Sequence, residues 1–231
     1  LKVQGKPIIW YLLMTLKKSG FNHVILALGH KKEKIKDYLK KNKKNFKNIK
    51  IESINTGQNS TIAERIFKIK NKVKSQNFIL LNSDSIFDFN IKKIYELHLK
   101  RKLDLSLVTT NIQADFGSII IKNNKVTNFQ REVMFNTIKL NNNKKFGKVY
   151  SGIAIMNNRI LKYKFKKFKN FEKEFYPKVI SYYKCDYFSP TGFWKGMDNI
   201  KQVAALNNKN NINLYSSIKK IKNKLEKLND K

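Results

Sequence analysis

One cysteine, three prolines, three histidines, four arginines and 16 acidic residues are all that this chain of 231 residues carries of those types. With Cys185 alone no disulfide can close within the chain, and a reducing, cytoplasmic compartment is expected. His23, His30 and His98 stand far apart, and neither an H-E-x-x-H nor a C-x-x-C spacing occurs, which argues against zinc chemistry. No recognisable pattern around Cys185 supports a nucleophile. No apolar run approaches the roughly 20 residues of a membrane helix. Residues 7–16 imitate the apolar part of a signal peptide, but Lys17 and Lys18 follow where small residues would be required. The first residue is Leu1, not Met, and a chain shortened at its N-terminus is expected.

What is present is positive charge and a core. Lys and Arg number 49, for a formal net charge of +33. Such a value ordinarily points to nucleic acid or an anionic surface. Almost all of it is Lys, however, whereas base and phosphate readers draw on the bidentate fork of Arg. Together with abundant Asn and Ile, this reads as compositional drift, with weak non-specific polyanion binding as a side effect and neither specific nucleic acid nor membrane as a partner. Hydrophobic residues make up 41% and aromatics 12%, enough for a packed domain and too much for disorder.

The first half alternates two periodicities. Ile9, Leu12, Leu13 and Leu16 recur at helical spacing, and 24–28 is a continuous apolar run ending at Gly29, as in a strand buried on both faces. A polar helix over 31–41, an alternating strand over 49–54, a loop over 56–61 and a helix with Ile62, Ile66, Ile69 and Val73 follow. The run 78–81, a helix over 91–100 and a strand over 105–109 continue the rhythm. The expected fold is α/β: a doubly wound, mostly parallel, Rossmann-like sheet. After Asp115 short strands over 117–121, 126–129 and 149–156 suggest a small mixed β subregion. A helix over 171–182 broken near Pro177, and a last helix capped by Asp198 and ending near Asn207, complete one domain over 1–207. In 208–231, Ile218, Ile221, Leu225 and Leu228 form one helical stripe, expected as a solvated docking or dimer helix or a loose tail.

Asp84 closes the run 78–81 and its short extension, at the carboxyl edge where open α/β sheets bind ligands. A lone Asp there suits Mg²⁺ held against substrate phosphates, or equally a helix cap or turn. Asp88 is the alternative ligand, or the cap of the helix that starts near Asn90.

These residues resemble the sugar-1-phosphate nucleotidylyltransferases, nearest the glucose-1-phosphate cytidylyltransferase branch. The resemblance rests on Lys6-Pro7-Ile8-Ile9-Trp10 with Gly20-Phe21, on Leu28-Gly29-His30-Lys31, and on Thr56-Gly57-Gln58-Asn59-Ser60 followed by Arg65. It continues through Leu80 to Asp84, Phe116-Gly117, Ser151-Gly152-Ile153, Phe171-Glu172-Lys173-Glu174 and the segment from Gly192 to Asp198 that contains Trp194. The order is kept over residues 1–207. The resemblance implies the nucleotide-diphospho-sugar transferase fold, with Asp84 and Asp198 holding Mg²⁺. It further implies Thr56, Gly57, Asn59, Ser60 and Arg65 on the nucleotide, and Gly117, Gly152, Glu172 and Trp194 on the sugar. The implied reaction joins an NTP, expected to be CTP, to a hexose 1-phosphate, expected to be glucose 1-phosphate, releasing pyrophosphate for polysaccharide assembly. From the residues alone, Arg65 could instead pair with a carboxylate, Asn59 and Ser60 could serve turns and caps, and Gly117 and Gly152 could mark turns or bulges. Glu172 and Glu174 could favour a helix start, and Trp194 could be core.

Three departures accompany the resemblance. The family's G-x-G-T-R loop and first interior strand are absent, and two hydrophobic strand edges are expected to be left open. Arg131-Glu132 stands where the family has E-K-P. Ala63-Glu64 replaces two glycines, and Ser83 replaces another before Asp84. The stretches Asn82-Ser83-Asp84-Ser85 and Phe171 to Pro177 also resemble guanylyltransferases acting on mannose or heptose phosphates. A homologue that binds sugar nucleotides without turnover is the rival outside enzymes, and a homo-oligomer is compatible with either.

Overall fold

The computed structural model describes residues 1–113, 118–130, 133–135, 137–139, 146–162, 168 and 170–228. In chain order they form β1 (Lys2–Val3), β2 (Lys6–Pro7), α1 (Ile8–Lys18), β3 (His23–Leu28), α2 (Lys32–Lys41), β4 (Lys50–Asn55), α3 (Ile62–Ile69), β5 (Asn77–Leu81), β6 (Ser85–Phe87), α4 (Ile91–Lys100) and β7 (Leu105–Thr110). Then come β8 (Ile112–Gln113), β9 (Ser118–Lys122), β10 (Lys125–Gln130), β11 (Met134–Phe135), β12 (Ile138–Lys139), β13 (Phe146–Gly147) and β14 (Val149–Asn157). After a π-helical turn at Phe171–Phe175 follow α5 (Tyr176–Tyr182), β15 (Cys185–Phe188), β16 (Trp194–Gly196), α6 (Ile200–Asn207) and α7 (Ile212–Glu226).

Period-two patterning builds a sheet covered on both faces. The order is β15-β7-β14-β5, and β14 runs against both its neighbours while β15 lies parallel to β7. The other three strands therefore share one direction. On β5, Phe78 and Leu80 face a core with Ala63 and Ile66 of α3 and Phe175 and Val179. Ile79 and Leu81 face the opposite core, with Leu12 of α1 and Ile91 and Ile94 of α4. That alternation is the doubly wound arrangement expected from the pattern.

A second parallel pair, β3·β4, is packed against α1 and α2 through Val24, Ile51, Tyr38 and Leu39. Among the described residues β3 pairs only with β4, and β5 only with β14. Among the described residues, the subregion after β7 contains the antiparallel pairs β8·β11, β9·β10 and β12·β13. A connection as short as the one joining β9 to β10 can close only an antiparallel hairpin.

The C-terminal stripe is neither solvated nor loose. Residues 10–16 of α1 are all buried, and a helix apolar on every side needs cover on every side. α7 supplies it, placing Ile218, Ile221 and Leu225 in the same core as Trp10 and Met14. Lys6 of β2 pairs with Glu226 at 3.1 Å, and Gln4 donates to the Tyr215 carbonyl. For residues 208–228 the expectation is corrected, because the stripe's partner is the first helix of the same chain.

Helix starts follow side-chain chemistry. Thr61 and Glu64 form a capping box on α3, and Asn90, Asn199 and Asn211 cap α4, α6 and α7. Asp198 is therefore not the cap of the last helices, and Asp88 is not the cap of α4.

Candidate active site

The antiparallel pairing of β6 with β16 sets Ser85 opposite Gly196 and Phe87 opposite Trp194. The Met197 amide donates to the Asp84 carbonyl at 2.8 Å, extending that pairing by one step. Asp84 and Asp198 consequently lie side by side at one end of the pair. The Asp198 amide is held by the Gln202 side chain at 2.6 Å. Partial burial, and then the charge of Asp198, push the Asp84 carboxyl above its ordinary range, against the pull of its own backbone amide. Among the described residues no third His, Cys, Asp or Glu joins the pair.

Beside the carboxylates runs β14. Its register with β7 slips between Tyr150 and Ile153, and Gly152 sits in that bulge at φ +78°, a left-handed backbone that suits glycine. A Cβ on Gly152 would meet the Asn82 side chain at 2.9 Å, and the Asn82 amide donates to the Gly152 carbonyl at 2.9 Å. Gly152 is thus a bulge glycine, and what approaches it closely within the fold is Asn82. The Trp194 indole donates to the Ser151 carbonyl at 2.9 Å while its ring contacts the apolar core. Asn82, two residues before Asp84, was missing from the sequence-based set; its position at the end of the apolar run is the signal that could have found it.

The helix start at Phe171–Tyr176 joins this strand through two phenols. Tyr150 and Tyr176 share a hydrogen bond of 2.7 Å. Burial raises both hydroxyls far above the usual range, and the nearby Glu172 charge adds to it. Glu172 itself is exposed, one residue into the turn that Asn170 caps.

A second cluster forms at the carboxyl ends of β3 and β4. Thr56 is buried, and its amide and hydroxyl both donate to the Leu28 carbonyl. Arg65 donates to the Thr56 hydroxyl at 2.7 Å and to the carbonyls of Ser60, Gln58 and Ala27. No carboxylate partners Arg65 among the described residues, so the ion pair weighed for it is corrected: the guanidinium gathers backbone carbonyls that β3 and the loop leave exposed. The Ser60 hydroxyl donates to the Thr56 carbonyl and accepts from Lys68 at 3.0 Å. Lys68 was also missed; its place one turn beyond Arg65 on α3 turns it to the same loop. Gly57 holds φ +97°, and Asn59 is exposed at the loop's tip.

Gly117 lies outside the described residues, as do Phe116, Arg131 and Glu132. Cys185 is half-buried, and burial followed by the charge of Asp104 lifts its thiol to about 11, which keeps it protonated and unreactive. No helix among the described residues is long and apolar enough to cross a membrane.

A doubly wound sheet with a carboxylate at a strand end is the arrangement in which open α/β folds place their ligand crevice. Residues 1–195 match the family model described as nucleotidyl transferase, and the chain belongs to that family. It is 28% identical over 181 residues to a D-glycero-alpha-D-manno-heptose 1-phosphate guanylyltransferase of Aneurinibacillus thermoaerophilus, covering 76% of this chain and 75% of that one. It is 20% identical over 224 residues to a probable glucose-1-phosphate cytidylyltransferase of Bacillus subtilis, covering 89% and 84%. Among solved structures, HddC from Yersinia pseudotuberculosis complexed with GMP-PN superposes with a TM-score of 0.66 at 21% identity, covering 89% of this chain and 86% of that one. At that identity the likeness is one of fold.

Proposed function

We propose that the chain is a sugar-1-phosphate nucleotidylyltransferase, with GTP as nucleotide and a heptose or mannose 1-phosphate as acceptor. The observation that carries the reading is the side-by-side placement of Asp84 and Asp198 next to the Gly152 bulge. GTP is favoured by the guanylyltransferase relatives and by the Asn82 to Ser85 stretch. CTP with glucose 1-phosphate is the second reading, favoured by the sequence from Thr56 to Ser60 and by the Bacillus subtilis relative.

The donor set fits Mg²⁺, which takes one or two carboxylates and leaves its other positions to phosphate oxygens and water. Burial, and then the charge of Asp198, raise the Asp84 carboxyl, and a bound cation would offset that penalty on its ionised form. Mg²⁺ bound by Asp84 and Asp198 would neutralise the nucleotide phosphates. An oxygen of the sugar 1-phosphate attacks the α-phosphorus in line; a new P–O bond forms as the α–β bridge breaks, and its electron pair leaves with pyrophosphate. The protein's own part is positioning and charge. The loop at 56–60, braced by Arg65 and Lys68, shapes the base side, while the exposed Asn59 offers an amide to base edges. Gly152, Trp194 and Glu172 line the sugar side.

The test measures pyrophosphate release with Mg²⁺, each common NTP and a panel of sugar 1-phosphates, alongside nucleotide binding by thermal shift. Turnover led by GTP supports the reading, and turnover led by CTP supports the second. Binding without turnover would make the chain a non-catalytic binder, and neither binding nor turnover would overturn both.

A further inference from the structure

A cavity of about 280 Å³ opens where α1 ends, α4 begins and α7 passes over both. Its floor is apolar, built from the buried side chains of Phe87, Phe89, Ile221 and Leu225. Its rim is cationic: Lys18 from the last turn of α1, Lys92 from the first turn of α4 and Lys224 from α7, with Asp88 as the one carboxylate among the residues that line it. None of the residues placed in the candidate active site lines this cavity. β6 leads away from Asp84, and four extended residues to Asp88 span about 13 Å.

Lys18 and Lys224 line this cavity from separate helices, close enough for each charge to act on the other. Two cations lose by such an approach, and a lysine stem is free to swing its charge into water. Partial burial, then the Lys224 contact and charge, bring Lys18 down to about 8, with Asp88 opposing the change. Asp88 offsets the repulsion only in part, and its Oδ1 accepts from the Phe193 amide at 2.6 Å. Lys92 faces Glu96 on its outer side at 4.0 Å. Neither Lys18 nor Lys224 has an ion-pair partner among the described residues. The N-terminal end of α4, capped by Asn90, adds the positive end of a helix dipole to the same rim.

We propose that this cavity is a second anion site that takes a phosphate group between Lys18 and Lys224. Its size matches the small end of ligand pockets, so the ligand is inorganic phosphate, pyrophosphate or a small sugar phosphate, not a whole nucleotide. The apolar floor gives the carbon face of a sugar phosphate somewhere to rest. The assignment does not depend on the proposed reaction. It also differs from diffuse attraction to a chain of net charge +33, because it names two lysines and one concavity.

Competitive acetylation of the whole chain, resolved lysine by lysine by mass spectrometry, tests it directly. Lys18 should acetylate faster than the exposed Lys201 and Lys209, and inorganic phosphate should slow Lys18 and Lys224 by about tenfold, the scale of a charge-assisted contact. Sodium chloride at equal ionic strength should not. Pyrophosphate and glucose 1-phosphate form the further arms, and the strongest protector identifies the source of the phosphate. The double variant K18Q/K224Q should lose the rise in Tm that phosphate gives the parent chain. Equal slowing by chloride, equal slowing at Lys201, or a phosphate-dependent Tm rise retained in K18Q/K224Q would overturn the site.

Discussion

The guanidinium of Arg65 occupies the space that a side chain on Gly29 would need: a Cβ there would lie 2.5 Å from both terminal nitrogens and 2.7 Å from the Gly57 carbonyl. The end of β3 and the loop before α3 are thus locked through one cation. Gly29→Ala should push Arg65 away from the carbonyls it gathers, at a cost of about 1–3 kcal/mol, as overpacking does. Urea unfolding checks this; an unchanged midpoint would mean that the loop yields freely.

Asp84 trades stability for its proposed task. Its raised carboxyl means that the fold prefers the protonated form, so ionisation weakens the fold as pH rises through that range. Asp84→Asn should therefore unfold no earlier than the parent chain at neutral pH while losing pyrophosphate release by at least about a hundredfold, the usual scale for a group that stabilises transition-state charge. A variant that keeps parental turnover would remove Asp84 from the site.

The Tyr150–Tyr176 bond ties the bulged strand to the helix start that carries Glu172. Tyr150→Phe leaves the buried Tyr176 hydroxyl without that partner, and a loss of about 1–3 kcal/mol is expected. The double change to Phe should cost less than the sum of the single changes, since both remove one bond. Strict additivity in chemical denaturation would show that the hydroxyls act independently.

His98 supplies a pH signature. Its ring nitrogens meet the Ser106 hydroxyl at 2.7 Å and the Asn77 side chain at 3.2 Å, and burial lowers its pKa, with the Asp104 charge opposing. The unfolded chain takes up a proton near 6.5 that the folded chain resists, so stability is full above that pH and declines as pH falls below it. His98→Gln should flatten this part of the denaturation-midpoint profile. A parallel profile in both proteins would assign the acid sensitivity elsewhere.

Much of the fold was legible in the sequence because its signals are local. The run ending at Leu81 reads as a strand since both of its faces are apolar, and the structure covers both. Thr61 with Glu64 three residues on is a helix start in any context. The stripe in α7 shows a buried face as well, but nothing local names its partner, so the pattern fits a docking or dimer helix or a loose tail equally, and only its packing on α1 decides. Asp198 misled for a similar reason: an acidic residue before a helix resembles a cap, and only the backbone of Asn199 shows which side chain turns inward.

The sequence by itself determined the alternation of the main helices and strands of the first half, that Asp84 follows an apolar strand and that Cys185 has no disulfide partner within the chain. Periodicity and capping act over a few residues and need no distant information. Only tertiary structure decided that Asp198 comes to the same strand end as Asp84, that Asn82 fills the hollow at Gly152, that Arg65 and Lys68 brace the loop before α3, and that Lys18 and Lys224 line one cavity. Those relationships join residues from separate elements. Their energies depend on distance through space and on the water excluded between them, quantities that spacing along the chain does not carry.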